Sequence, residues 1–493
     1  MCIKMISKGL LLTQTLLLSL YVSAQPSPAT TDDFLPKDYL SSSFHAGRRD
    51  ALRSSMPDSS VVVIFAYPTR TFSNDVEYLY HANPDMYYFS GYREPHSLLL
   101  IFKETQIDST GSSYNEMLFV QKRNAQAEQW TGKRLGVEGA REKLGFSTVF
   151  NGADFKKFNI DFSKFKKIIC DRTPVDVPNG YDNADLYDLM QQFKQKSGMP
   201  EKNSPSSKFD TRLYMELTGQ LRRIKTPEEL SLLRKAVEIS CQGHNEVMKA
   251  VHPGMSELEI QGLQEFVHKK HGAEGVGYGS IIGAGENGCV LHYMENTKTK
   301  VGTSMLLMDV GAEYHGYTAD VTRTIPVDGK FSEEERAIYQ LVYDAQEAAF
   351  KTLKNGSKWA DASNAARETI AEGLLKLGII DDKKEVGKYF PHGLGHHIGL
   401  DVHDRGSMET MKKDMVITIE PGIYIPNNSN CDKKWWGIAV RIEDDLLITE
   451  TGYELLSRFA PRKIEEIEKM IAQKSALDDF KLPALESGKK KGF

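Results

Sequence analysis

The sequence predicts two domains, an α/β domain followed by an α+β domain whose helices cover one face of a sheet. Three observations carry that expectation. At 493 residues the chain is too long for one compact core. Near the start, Val61-Val-Val-Ile-Phe65, Leu98-Leu-Leu-Ile-Phe102 and Met117-Leu-Phe-Val120 are continuous apolar runs, the pattern of strands covered on both faces. Downstream, pairs of helices alternate with antiparallel pairs of strands.

In chain order, Lys4 and Lys8 precede an apolar run from Leu10 to Tyr21, and Val22-Ser23-Ala24 supplies small residues for cleavage. Residues 1–24 are expected to be an export signal, and 25–36, Pro/Ser/Thr-rich, a flexible linker. The run falls short of the about 20 residues of a membrane-spanning helix, and no cysteine follows the cleavage site. A periplasmic or secreted protein without a stable membrane anchor is therefore expected.

The first domain is placed at 37–200. Its segment Asn74 to Tyr92 is dense in aromatics and reads as a packed corner, with a substrate rim or subunit contact as the other use. The polar stretch Ser197 to Ser207 marks the boundary. The second domain, 208–475, opens its helices with capping signals: Thr226-Pro-Glu-Glu229, Ser256-Glu-Leu-Glu259 and Ser332-Glu-Glu-Glu335. These predict helices near 227–250, 257–271 and 333–354, with a fourth near 360–377. Strands are expected near 304–312, 316–327, 415–425 and 437–449, so that the order repeats as two similar halves. Residues 476–493 form a polar tail.

Acidic residues rarely sit within apolar strands unless something cationic neutralises them. Here Asp309, Asp320, Glu420 and Glu443 do. Asp309 and Asp320 flank a turn near His315-Gly316 and come close across a hairpin, where two carboxylates repel unless a proton or a cation intervenes. Asp320, Thr322 and Thr324 share one face by period-two alternation. Arg441 shares a face with Glu443 and is placed to orient or partly neutralise the carboxylates. Between these strands lies Pro391-His-Gly-Leu-Gly-His-His-Ile-Gly-Leu-Asp-Val-His403, whose glycines allow close backbone approach. His396 is the expected metal ligand, and His392 and His403 are candidates to bond substrate or a developing oxyanion. His292 is a further oxyanion candidate, and His397 is read as packing. Four carboxylates balance two divalent cations, whereas one would leave a buried charge of −2. An oxygen-rich set with one imidazole suits Mn²⁺ best, with Zn²⁺, Co²⁺ and Fe²⁺ as alternatives.

These motifs resemble the pita-bread metallopeptidases (creatinase/aminopeptidase-like fold), and residues 40 to 470 resemble their aminopeptidase P branch. The resemblance rests on Met308-Asp-Val-Gly311, Thr318-Ala-Asp-Val-Thr-Arg-Thr324, Pro391 to His396, Glu420-Pro-Gly422 and Arg441-Ile-Glu443. In the first domain it rests on Asn74 to Tyr78, Phe89-Ser-Gly-Tyr92 and Gln129 to Gly136. It implies Asp309, Asp320, His396, Glu420 and Glu443 as ligands of two metal ions. It also implies hydrolysis of the bond between an N-terminal residue and a following proline by a metal-bridging hydroxide. Glu420 would relay the proton, His292 and His403 would support the tetrahedral intermediate, and His392 would contact substrate, with Arg441 beside them.

The nearest alternative is a prolidase, restricted to Xaa-Pro dipeptides. Prolidases hold the dipeptide carboxylate with an arginine in a longer segment after the histidine string; here that segment is short and offers only Arg405, with Lys412 nearby. A catalytically inactive binding homologue would have lost ligands, and none is lost. Partners are expected to be peptides with proline second, and the protein a homo-oligomer, a dimer or tetramer. The net charge of −5 gives no basic excess for nucleic acid. The scattered cysteines leave open whether a disulfide forms.

Overall fold

A computed structural model describes residues 38–108, 110–180, 184–200, 208–477 and 482. The signal and linker expected before residue 37 lie outside them, as does most of the expected polar tail.

The first half is built on a five-stranded mixed sheet, in the order Val149–Asn151, Ser113–Val120, Leu98–Ile107, Ser60–Phe65, Lys167–Cys170. Ser60–Phe65 runs antiparallel to Leu98–Ile107 and parallel to Lys167–Cys170. The apolar runs are covered on both faces, as their sequence predicts. Val62, Ile64, Leu99 and Ile101 pack toward the helix Ser42–Ser55, whereas Val61, Val63, Leu98 and Leu100 pack under phenylalanines 155, 162 and 193. The helix Pro84–Ser90, with Asn83 as its cap, is wholly buried, so this part of the aromatic segment is a packed corner. Phe72, Tyr78 and Leu79, just before it, are exposed.

The four predicted helices of the second half are Pro227–Ala250, Glu257–Lys270, Glu333–Phe350 and Trp359–Lys376. Thr226 with Glu229, and Ser332 with Glu335, form reciprocal capping boxes. Ser256 accepts from the Glu259 N–H at 3.0 Å. Strand Met305–Asp309 lies between Ile281–Ala284 and Thr322–Pro326, while Val416–Ile419 pairs with Asp444–Ile448 and Gly422–Ile425 with Ile438–Arg441. Helices pack on these strands through one large apolar core. A second core continues from the first half into the second, joining Leu52 and Tyr88 to Leu233, Tyr317, Ile398 and Val416. The described residues from Leu40 onward form one compact unit.

The long strands read from the sequence are each broken. The predicted 316–327 strand is interrupted at Ala319–Val321, 415–425 at Glu420-Pro421, and 437–449 at Ile442-Glu443; 304–312 breaks after Asp309. Asp320, Glu420 and Glu443 therefore sit in the interruptions. There their side chains leave the regular pleat and can converge from three strands. The turn at His315-Gly316 is a tight one, with both residues at left-handed φ, 52° and 85°.

Candidate active site

These breaks open on one cavity of about 550 Å³, lined by all five predicted ligands together with His292, His392, His403 and Arg441. Asp309 pairs across the ladder with Thr322 rather than with Asp320. The two aspartates are nonetheless joined, because the Tyr278 hydroxyl lies 2.6 Å from Asp309 Oδ1 and 2.5 Å from Asp320 Oδ1. Arg441 Nη2 donates to Asp309 Oδ2 at 2.6 Å, whereas Glu443, its neighbour on the strand, feels its charge without a hydrogen bond from it. Glu443 instead accepts from Thr322 Oγ1 at 2.6 Å, across the bridge that links the two strands. Asp320, His396 and Glu443 present ligand atoms within 4.8 Å of one another.

His396 shows what the cluster is built to hold. Its Nδ1 lies 3.0 Å from the His397 carbonyl, which can only accept, so Nδ1 carries the proton. Its Nε2 then directs a lone pair toward Asp320 Oδ2 and Glu420 Oε1, each 3.4 Å away. A neutral imidazole facing two carboxylates is repelled, whereas a metal ion or a proton between them turns the contact attractive. Without a cation, burial opposes the charge on His396 but Asp320 and Glu420 outweigh it, lifting it to about 9. On the acidic side, burial, together with the neighbouring carboxylates, pushes Glu420 up to about 7 and Glu443 well above the usual carboxylate range. Asp309 is raised by burial against the pull of Arg441. Together with Asp320, these carboxylates and the imidazole lone pair form a donor set that fits divalent cations.

Around that set, the histidines divide. His403 packs edge-on against His396, ring centroids 4.3 Å apart, and reaches the cavity along with His292. His392 lines the cavity too, but its nitrogens have partners: Nδ1 bonds the Gly393 carbonyl at 2.8 Å and Nε2 the Tyr424 hydroxyl at 2.9 Å. That hydroxyl accepts from Arg441 Nη1 at 2.8 Å, so Arg441 positions both Asp309 and His392. His397 is buried against the Ser407 carbonyl, away from the cavity, as read from the sequence. Sequence reasoning missed Tyr278 and Tyr424. Tyr278 had a signal, a tyrosine between two glycines; Tyr424 reads as an ordinary apolar strand position. Arg405 is turned away from the cavity: it bonds Asp85 at 2.7 Å and Asp171 at 2.8 Å and lies over the Tyr214 ring.

Two family models match the chain, metallopeptidase family M24 over residues 231–450 and the N-terminal domain of aminopeptidase P over 45–167. The Xaa-Pro aminopeptidase of Escherichia coli (strain K12) is 36% identical over 440 residues, spanning 86% of this chain and 96% of that one. The chain belongs to metallopeptidase family M24. A mitochondrial intermediate cleaving peptidase 55 of Arabidopsis thaliana, 28% identical, spans 91% of this chain and 87% of its own length. Among solved structures, E. coli aminopeptidase P with the inhibitor Pro-Leu superposes with a TM-score of 0.77 at 33% identity, over 88% of this chain and 98% of that one. Membership in the family makes the protein a metallopeptidase and implies divalent metal ions, in agreement with the donor set.

Proposed function

We propose that the protein is an Xaa-Pro aminopeptidase, with Asp309, Asp320, His396, Glu420 and Glu443 holding two divalent cations, Mn²⁺ first among them. The observation that carries this reading is the convergence of all five donors on one cavity, in a chain similar along most of its length to enzymes of that name. Cations bound there would supply Lewis acidity and lower the pKa of water at the site. The free α-amino group of a peptide sits beside the carboxylates at the closed end of the site, which limits cleavage to the first residue. Glu420 holds the proton released by the attacking water and returns it to the proline nitrogen, which lacks an N–H of its own. His403 and His292 donate to the carbonyl oxygen as negative charge develops on it. His392, anchored through both nitrogens, offers its ring face to the substrate.

The engagement of Arg405 with Asp85 and Asp171 argues against the prolidase alternative, since that guanidinium is held away from the cavity where a dipeptide carboxylate would lie. Residues 37–200 and 208–475 are read as the two domains, the apolar N-terminus as an export signal for a periplasmic or secreted enzyme, and the assembly as a homo-oligomer. The test is hydrolysis of Xaa-Pro-Yaa, Xaa-Ala-Yaa and Xaa-Pro with Mn²⁺ present. Preference for the first is expected, with Glu420→Ala lowering kcat by at least about a hundredfold. A preference for the dipeptide, or undiminished turnover in the variant, would overturn the reading.

A further inference from the structure

The active-site cavity does not end at its rim. Val402 and His403, on that rim, also line a second chamber of about 220 Å³. That chamber shares His81, Glu313 and Leu400 with a third, of about 300 Å³, at the seam between the first half and strand Ala312–Tyr314. An aminopeptidase has one residue upstream of the bond it cuts. Two successive chambers exceed what one side chain fills, whereas an extended peptide advances about 3.3 Å per residue and can pass through them.

The middle chamber is charged. His81, from the first half, places Nε2 at 2.8 Å from Glu313 Oε2, from the second. The His81 side chain is 54% exposed and that of Glu313 14%. Asp401 lines the same chamber, but Arg222 Nη2 meets its carboxylate at 2.6 Å. Glu313 is met by a histidine, which cancels its charge only when protonated. We infer that these chambers are the path of the departing peptide, and that His81 and Glu313 form a subsite for the residues after proline that favours basic side chains over acidic ones. This rests on the reading of the enzyme as an Xaa-Pro aminopeptidase.

The experiment compares kcat/KM for Ala-Pro-Lys-Lys and Ala-Pro-Glu-Glu, with Ala-Pro-Ala as reference, in the metal-loaded wild type, Glu313→Gln and His81→Ala. The wild type prefers the lysine peptide by about three- to tenfold, the scale of one half-buried charge contact. Glu313→Gln brings that ratio close to one, and His81→Ala raises it, because the glutamate loses the group that can neutralise it. Ala-Pro-Ala, whose own C-terminal carboxylate faces the same subsite, serves only to normalise the rates of each enzyme, and the readout is the lysine-to-glutamate ratio. A loss of fold would lower all three peptides together and could not move the ratio in opposite directions in the two variants. Equal rates on the two tetrapeptides in the wild type, or a ratio indifferent to Glu313→Gln, overturns the subsite while leaving the enzyme's assignment intact. Failure to cleave Ala-Pro-Ala overturns the assignment and the subsite with it.

Discussion

Tyr278 sits within hydrogen-bond reach of two aspartates, yet a phenol has one proton to give. One carboxylate is thus served, and the other faces an oxygen lone pair unless a cation or a second proton stands nearby. The hydroxyl matters most when the cations are absent, because it is then a principal donor holding Asp309 and Asp320 together, with Arg441 on the far oxygen of Asp309. Tyr278→Phe should therefore destabilise the chelator-stripped protein by about 1–3 kcal/mol, the cost of leaving a buried charged acceptor short of a partner. With saturating Mn²⁺ the variant and the wild type should melt close together, as the cations take over the carboxylates. Melting curves with and without chelator check this; an equal loss in both states would mean that the tyrosine is merely packing. The convergence of the four carboxylates on one cavity was legible in the sequence because a carboxylate in an apolar run is anomalous. Tyr278 and Tyr424 were not, since a buried tyrosine is ordinary and only its neighbours give it a role.

At the level of elements, helix starts were readable because capping is local: Thr226 and Glu229, or Ser332 and Glu335, are three residues apart and need nothing else. Strand breaks were not. Apolar residues flank the acidic run Glu443-Asp-Asp445 on both sides, so Ile438 to Ile448 reads as one strand, and what interrupts it at Glu443 is the bridge to Thr322, more than a hundred residues away. Only Pro421 announced its break. The glycines of the histidine string divide in the same way. A Cβ on Gly395 would lie 2.0 Å from the Thr418 carbonyl oxygen, whereas one on Gly393 would meet nothing within 4 Å. The close approach at Gly395 seats His396, whose N–H donates to Thr418 Oγ1 at 3.0 Å and whose carbonyl accepts from the Thr418 N–H at 2.9 Å. Gly395→Ala must push that backbone away and His396 with it. Metal affinity is expected to fall at least about tenfold, the range seen when a ligand's orienting contacts are lost. Gly393→Ala should leave it nearly unchanged. Metal titration of the two variants decides, and equal affinities would sink the argument.

Across the whole molecule, the seam between the halves was the least legible feature. Composition placed a boundary near residue 200, but Arg222 and Arg405 reach back over it to Asp85, and one apolar core crosses it. Such contacts have no local signature. They also bury titratable groups, which ties stability to pH. Burial lowers His45, His268 and His397 to about 4 and His244 to about 3. In the unfolded chain these titrate near 6.5. Between those values the unfolded state binds more protons, so stability rises with pH across the window and is lost as pH falls toward 4. Glu229, raised to about 7 by burial, acts in the opposite sense: the folded state keeps its proton after the unfolded state has lost it, so stability falls as pH rises from about 4.5 to 7. In the metal-loaded protein these four histidines stand against Glu229 and two further acids raised by burial, Glu335 and Asp445, and stability should increase from pH 4.5 to 6.5. In the stripped protein Asp309, Glu420 and Glu443, all raised, join Glu229 and oppose the histidines. Urea unfolding between pH 4.5 and 7.5 should therefore give a steeper rise with Mn²⁺ than with chelator. Parallel curves in the two conditions would show that the five donors do not carry the metal.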